Sequence, residues 1–124
     1  MTILTPNAPQ PIGPYSQAIQ DGNLLFCSGQ IALDPKTGSM KNSSIEEETS
    51  QVLRNMNALL EAGGANFGSV LKTTIFLLDM NDFAKVNELY ATAMGDAKPA
   101  RSTVAVSALP KGARIEIECI ARVL

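Results

Sequence analysis

Apolar positions along the chain recur with two spacings, and the switches between them mark out its elements. Two apolar-rich runs, Ser16 to Gln20 and Asn23 to Gln30, flank Asp21-Gly22. Asp-Gly in that setting is a strong hairpin signal, because a tight turn needs residues that tolerate positive φ. From Ser43 or Ser44 the spacing becomes helical: Val52, Met56, Leu59 and Leu60 share one stripe, which Leu53 widens. Either serine can cap the helix, with Glu46 or Glu47 completing a capping box, and Glu46, Glu47 and Glu48 suit the positive end of its dipole. Gly63-Gly64 supplies a left-handed residue to end it.

Val70 to Leu78 returns to period two, with Leu71, Thr73, Ile75 and Leu77 on one face and Lys72, Thr74, Phe76 and Leu78 on the other. Its second half is apolar on both faces, which predicts a central strand covered on both sides. Phe83, Val86, Tyr90 and Met94 give a second helical stripe over about Asp82 to Met94. Two further strands, Arg101 to Ser107 and Arg114 to Val123, flank the loop Ala108 to Ala113, while four prolines within Pro6 to Pro14 keep that segment extended and irregular. The order β-β-α-β-α-β-β predicts an α+β fold: a single mixed β-sheet with two helices packed on one face, in one domain spanning residues 1–124. The helices leave the other sheet face bare, yet its residues are not especially polar, and self-association is the simplest way to cover it.

Composition sharpens this picture. Charged residues make up 18% of the chain, below the roughly 25% of a typical globular protein, as a covered surface requires. The net charge is −2 and the ten Lys and Arg are spread singly, so no basic stripe marks nucleic acid as the main partner. No apolar run approaches the length of a membrane span, and the first residues do not read as a signal peptide. Cys27 and Cys119 form no C-x-x-C and read as two buried free thiols in a reducing compartment, the cytoplasm or an organelle matrix. The chain has no histidine, which removes Ser-His-Asp and Cys-His catalysis and most zinc sites. Chemistry must run on Arg, carboxylates, Tyr, hydroxyls, backbone groups and water.

In Lys98-Pro99-Ala100-Arg101-Ser102-Thr103-Val104 the proline and the β-prone run after it place Arg101 at the start of a strand. Its planar fork there matches a carboxylate, although a structural or surface arginine is the commoner reading of the bare pattern. Ile115 to Ala121 places Glu116, Glu118 and Ile120 on one strand face. A carboxylate beside apolar residues can carry protons or orient a water, or it can lie on a solvated face. Fifteen residues separate Arg101 from Glu116, a distance that a hairpin can close. Gly13-Pro14-Tyr15-Ser16 delivers a tyrosine to a strand start, and Ser28-Gly29-Gln30 ends a strand with a glycine that lets a ligand approach the backbone.

Four stretches together carry a resemblance: IGPYSQA from Ile12, FCSGQIALDPKTG from Phe26, LKTTIFLLDMNDFAKVNELY from Leu71 and PARSTVAVSALPKGARIEIECIA from Pro99. Over essentially the whole chain, in order and spacing, they resemble the reactive intermediate deaminase A (RidA) family. The resemblance implies a trimer of chorismate-mutase-like subunits with clefts at the subunit boundaries. It implies hydrolysis of 2-aminoacrylate and 2-aminocrotonate, through their imine tautomers, to 2-keto acids and ammonia, with neither metal nor organic cofactor. Arg101 would bind the substrate carboxylate and Glu116 would position or activate water, with Tyr15, Ser28, Gly29, Asn87 and Thr103 lining the cleft. Two positions depart from the common pattern: many members carry Cys where Thr103 stands, and Ala93-Met94 replaces a frequent aromatic pair. A non-catalytic trimer of the same fold, binding small ligands or acting as a chaperone or regulator, is the competing class. Chorismate mutase itself needs several cleft cations where only Arg101 is evident.

Overall fold

The computed structural model describes residues 1–124. At Gly22 the backbone takes φ 61°, and the hairpin expected around Asp21-Gly22 forms between β2 (Ala18–Asp21) and β3 (Leu24–Gln30). A two-residue strand, β1 (Thr2–Ile3), pairs with β2 and was not legible in the apolar pattern. Ser44 caps α1 (Ile45–Ala62), its Oγ accepting the Glu47 N–H at 3.0 Å, while the Glu47 carboxylate accepts the Ser43 N–H at 3.1 Å. Of the two glycines that follow, Gly64 takes positive φ at 77°. Gly63 has φ −89° and is needed for space, since a Cβ there would lie 2.5 Å from Leu25 Cδ2.

β4 (Val70–Leu77), α2 (Phe83–Met94) and β5 (Ala100–Ala105) form a strand–helix–strand unit in which β4 and β5 run parallel. β6 (Ile115–Arg122) pairs antiparallel with both β3 and β4, so the sheet order is β1-β2-β3-β6-β4-β5. The fold is α+β, one mixed sheet with both helices on one face. The expectation that β4 is central and covered on both sides is corrected: it is next to the edge strand. Only the face carrying Thr73, Ile75 and Leu77 is covered, by the helices, while Phe76 on the other face is half-buried. One strand-face expectation is corrected: Val70 pairs with Ala121 and Lys72 with Ile120, which leaves Leu71 as an extra, 38% exposed residue. That bulge puts Val70 beside Thr73, Ile75 and Leu77 on the buried face.

Leu25, Val52, Met56, Leu59, Leu60, Ile75, Leu77, Val86, Ile115 and Ile117 form the fully buried centre between sheet and helices. Cys27 and Cys119 face each other in register across β3 and β6, both buried and both free thiols. The neighbouring Cys27 thiol, then burial, pushes the Cys119 thiol far above the ordinary range. The other sheet face has no layer over it: Ile19, Phe26 and Val104 are exposed there, Phe76 and Ile120 half-buried. No helix is long and apolar enough to cross a membrane.

Candidate functional site

On the bare sheet face, near the start of β6, a cleft of about 630 Å³ gathers Tyr15, Ser28, Gly29 and Glu116. Three segments build it. The proline-rich strap from Pro6 to Pro14 forms one wall with Pro9, Gln10 and Ile12. It is held by Gln17, which is fully buried: its Nε2 donates to the carbonyls of Thr5, Ala8 and Pro9, and its Oε1 accepts the Thr5 N–H at 2.7 Å. A register shift in β3 between Cys27 and Gln30 turns Ser28 and Gly29 toward the cleft, and Ser28 Oγ donates to the Ser16 carbonyl at 2.6 Å. Opposite them, a turn at Pro110–Gly112 carries Lys111 at φ 56°, the chain's one non-glycine residue in the left-handed region.

Glu116 projects from β6 directly against the backbone of Gly29, where any side chain would strike its carboxylate. The carboxyl is half-buried, and burial first, then the charge of Glu118 two residues on, raises its pKa above the ordinary value. A carboxyl with a raised proton affinity at a cleft wall is suited to accepting a proton from water and returning it.

Arg101 belongs to a different place. It opposes Thr73 across the parallel ladder, so its side chain lies on the helix face of the sheet. Its Nη1 donates to Asn87 Oδ1 at 2.7 Å, and its guanidinium sits over the rings of Phe83 and Tyr90, 5.4 and 5.0 Å from their centroids. Tyr90 is in turn fixed by a 2.7 Å hydrogen bond to Thr73 Oγ1. Helix spacing explains the cradle: Phe83, Asn87 and Tyr90 follow at four and three residues along α2 and share one side. Asn87, expected in the cleft lining, spends its acceptor on holding the arginine. A shallow groove of about 390 Å³ in front of the guanidinium leaves it open to an anion. Thr103, two residues on and on the same face, has a buried Oγ1 with no hydrogen-bond partner.

The two groups therefore do not meet within one chain, and the hairpin expected to join them does not exist. β4 stands between β5 and β6: Arg101 lies in the row Arg101–Thr73–Cys119, and Glu116 in the row Val104–Phe76–Glu116. Three residues along and two strands across is roughly 14 Å, with the side chains on opposite faces of the sheet. Parallel pairing of β4 and β5 through α2 is the physical reason, since a crossover of about a dozen residues returns a strand in the same direction.

The sequence profile of the family described as Endoribonuclease L-PSP matches residues 5–123. The chain belongs to that family. A RutC family protein of Pyrococcus horikoshii is 58% identical over 96% of this chain and 94% of its own. The 2-iminobutanoate/2-iminopropanoate deaminase of Mus musculus is 48% identical, covering 96% of this chain and 88% of its own. Among solved structures, RidA from a Psychrobacter species superposes with a TM-score of 0.95 at 39% identity, over 99% of each chain. The resemblance read from the four motifs is borne out. Within this L-PSP fold several cleft features were not legible in the sequence: the Gln17 clamp, Lys111 in the left-handed region, and the aromatic cradle of Arg101. Phe83 and Tyr90 were visible as a helical stripe, but a stripe looks the same whether it covers core or arginine.

Proposed function

We propose that this protein hydrolyses 2-imino acids, formed by tautomerisation of 2-aminoacrylate and 2-aminocrotonate, to 2-keto acids and ammonia, as a homotrimer working in the cytoplasm. The observation that carries this reading is the split of an anion-holding fork and a proton-accepting carboxyl onto opposite faces of one sheet. A site that needs both is completed only when the bare face of one subunit meets the β5 edge of its neighbour. Arg101 of one copy then holds the substrate carboxylate, while Tyr15, Ser28, Gly29 and Glu116 of the next supply the opposite wall. The bare apolar face around Phe26 and Ile120 supplies the drive for such an assembly.

The chemistry follows from the groups available. The iminium carbon is already electrophilic, so holding the carboxylate and placing a water beside the carbon are the main tasks. Glu116 takes a proton from that water as oxygen bonds to C2. Glu116 returns that proton to nitrogen and then takes the hydroxyl proton of the resulting carbinolamine as C=O forms and the C–N bond breaks, leaving a 2-keto acid and ammonia. The deaminase names of relatives across most of the chain support this reading. The family's endoribonuclease label draws no support from the charges, because a net −2 without a basic stripe offers little to a phosphate backbone.

Mixing two dead chains tests both parts. Arg101→Ala and Glu116→Gln should each lose ammonia release from freshly generated 2-aminoacrylate. Co-folded in equal amounts, they should regain about a quarter of it, the share of clefts that receive both intact residues. Wild-type protein that releases no ammonia would remove the deaminase assignment; variants that stay fully active alone would remove these roles for Arg101 and Glu116, and mixed assemblies with no recovery would remove the shared cleft.

A further inference from the structure

Arg114 lies outside both halves of the site, yet it touches the supports of each. Glu48 of α1 is fully buried with no cation in ion-pair reach, and its Oε2 accepts the N–H groups of Arg114 at 2.6 Å and Ile115 at 3.3 Å. The Arg114 carbonyl accepts the Leu78 N–H at 3.0 Å, just past the end of β4. These bonds fix the start of β6 two residues before Glu116. At its other end, Arg114 Nη2 donates to both oxygens of Asp82 at 2.8 and 2.9 Å. Asp82 stands at the N-cap position of α2 and makes no cap hydrogen bond with its side chain. Its backbone is already helical, at φ −81° and ψ −8°, because it closes the 3-10 turn Met80–Asp82 that runs into α2, so its carboxylate is not placed to cap and is free to hold the guanidinium. Asp82 directly precedes Phe83 and lies five residues before Asn87, both of which touch Arg101.

We propose that Arg114 is a positioning residue for both functional groups, setting Glu116 through its Glu48-held backbone and the Arg101 cradle through its grip on Asp82. This rests on the roles proposed above for Arg101 and Glu116. Loss of the side-chain grip lets α2 shift its first turn and misaligns the fork, which appears in binding. Loss of Glu48 leaves two buried N–H groups unmet and moves β6, which appears in turnover.

The test uses full-length Asp82→Asn, Arg101→Lys and their double variant, each confirmed folded and assembled by thermal melting and light scattering. Titration with 2-ketobutyrate reads the fork, and steady-state ammonia release gives KM and kcat. Asp82→Asn should weaken 2-ketobutyrate binding and raise KM by about fivefold, with kcat within about twofold of wild type. In the Arg101→Lys background the same change should cost under about twofold, because the group it positions is already lost. Glu48→Ala should show the reverse pattern, a fall in kcat of about tenfold with 2-ketobutyrate affinity intact. Unchanged affinity in folded Asp82→Asn, or equal losses in both backgrounds, would overturn the proposal. Arg114→Lys, which keeps charge but not the two-pronged grip, gives the same reading should Asp82→Asn not fold. If Arg101→Lys alone binds 2-ketobutyrate like wild type, the site assignment itself fails and this inference with it.

Discussion

A methyl group at position 29 would lie 2.8 Å from Glu116 Cδ and closer still to its Oε2. The carboxylate is the free end of a side chain, so Gly29→Ala should fold and push Glu116 off its position. Turnover should drop about tenfold while the affinity for a 2-keto acid stays near normal, read by kinetics beside calorimetric titration. The two principal residues should fail differently. Arg101→Lys loses the planar fork, and should cost on the order of 100-fold in kcat/KM, about 3 kcal/mol, together with product affinity. Glu116→Gln cannot take a proton and should lower kcat alone. The pH dependence follows from burial and from Glu118, which hold the Glu116 carboxyl above the ordinary range. Glu116 must be ionised to act as a base, so kcat should fall as pH drops through a value above that of a free glutamate. Glu118→Gln should move that fall to lower pH. Its effect on stability has the opposite sense. The folded chain holds this proton more tightly than the unfolded chain does. Its stabilising contribution is complete below the unfolded pKa and is lost as pH rises through the raised one. Profiles of kcat and melting temperature against pH should both lose these features in Glu116→Gln; an acid limb that survives there belongs to another group.

At the scale of elements, local signals were read correctly where local chemistry decides. Asp21-Gly22 made its hairpin, Ser44 its cap, and Gly64 its helix end. Pairing partners were not legible, because Arg101 to Ser107 and Arg114 to Val123 have the same alternation whether they pair with each other or straddle β4. The clue lay in α2, whose twelve residues between β4 and β5 suit a parallel crossover. Arg101 and Glu116 were thus singled out as candidates on the strength of a family resemblance, while their opposite orientation depended on strand order. The strap is an element without regular structure, held by the four hydrogen bonds of one buried glutamine. Gln17→Leu leaves the Thr5 N–H and the Pro9 carbonyl unmet and the Thr5 and Ala8 carbonyls with Gln10 Nε2 alone. Each unmet group costs about 1–3 kcal/mol where burial persists, so part of the strap should detach to reach water. Limited proteolysis should then cut within residues 5–12 well before wild type is cut there, and Tyr15-side binding should weaken. Equal protection in both proteins would place the hold on the strap elsewhere.

For the whole molecule, the bare sheet face sets the expected assembly. Phe26, Phe76, Val104 and Ile120 form an apolar field with Lys72 and Glu118 among them. Sedimentation at micromolar concentration should give about three times the monomer mass, and Phe26→Asp should shift it toward monomer and abolish turnover, because burying a charge there costs more desolvation than a nearby Lys72 returns. A monomer that retains full activity would rule out the shared cleft. The strand order has a consequence for how each chain is made. β6 lies between β3 and β4, yet it is synthesised after both. Until it emerges, the β2–β3 hairpin and the β4–α2–β5 unit have no strand in common, and each presents an open edge to whatever passes. Chain growth therefore brings the protein through an adhesive form just before β6 emerges, when one missing strand separates two sticky fragments from a joined sheet.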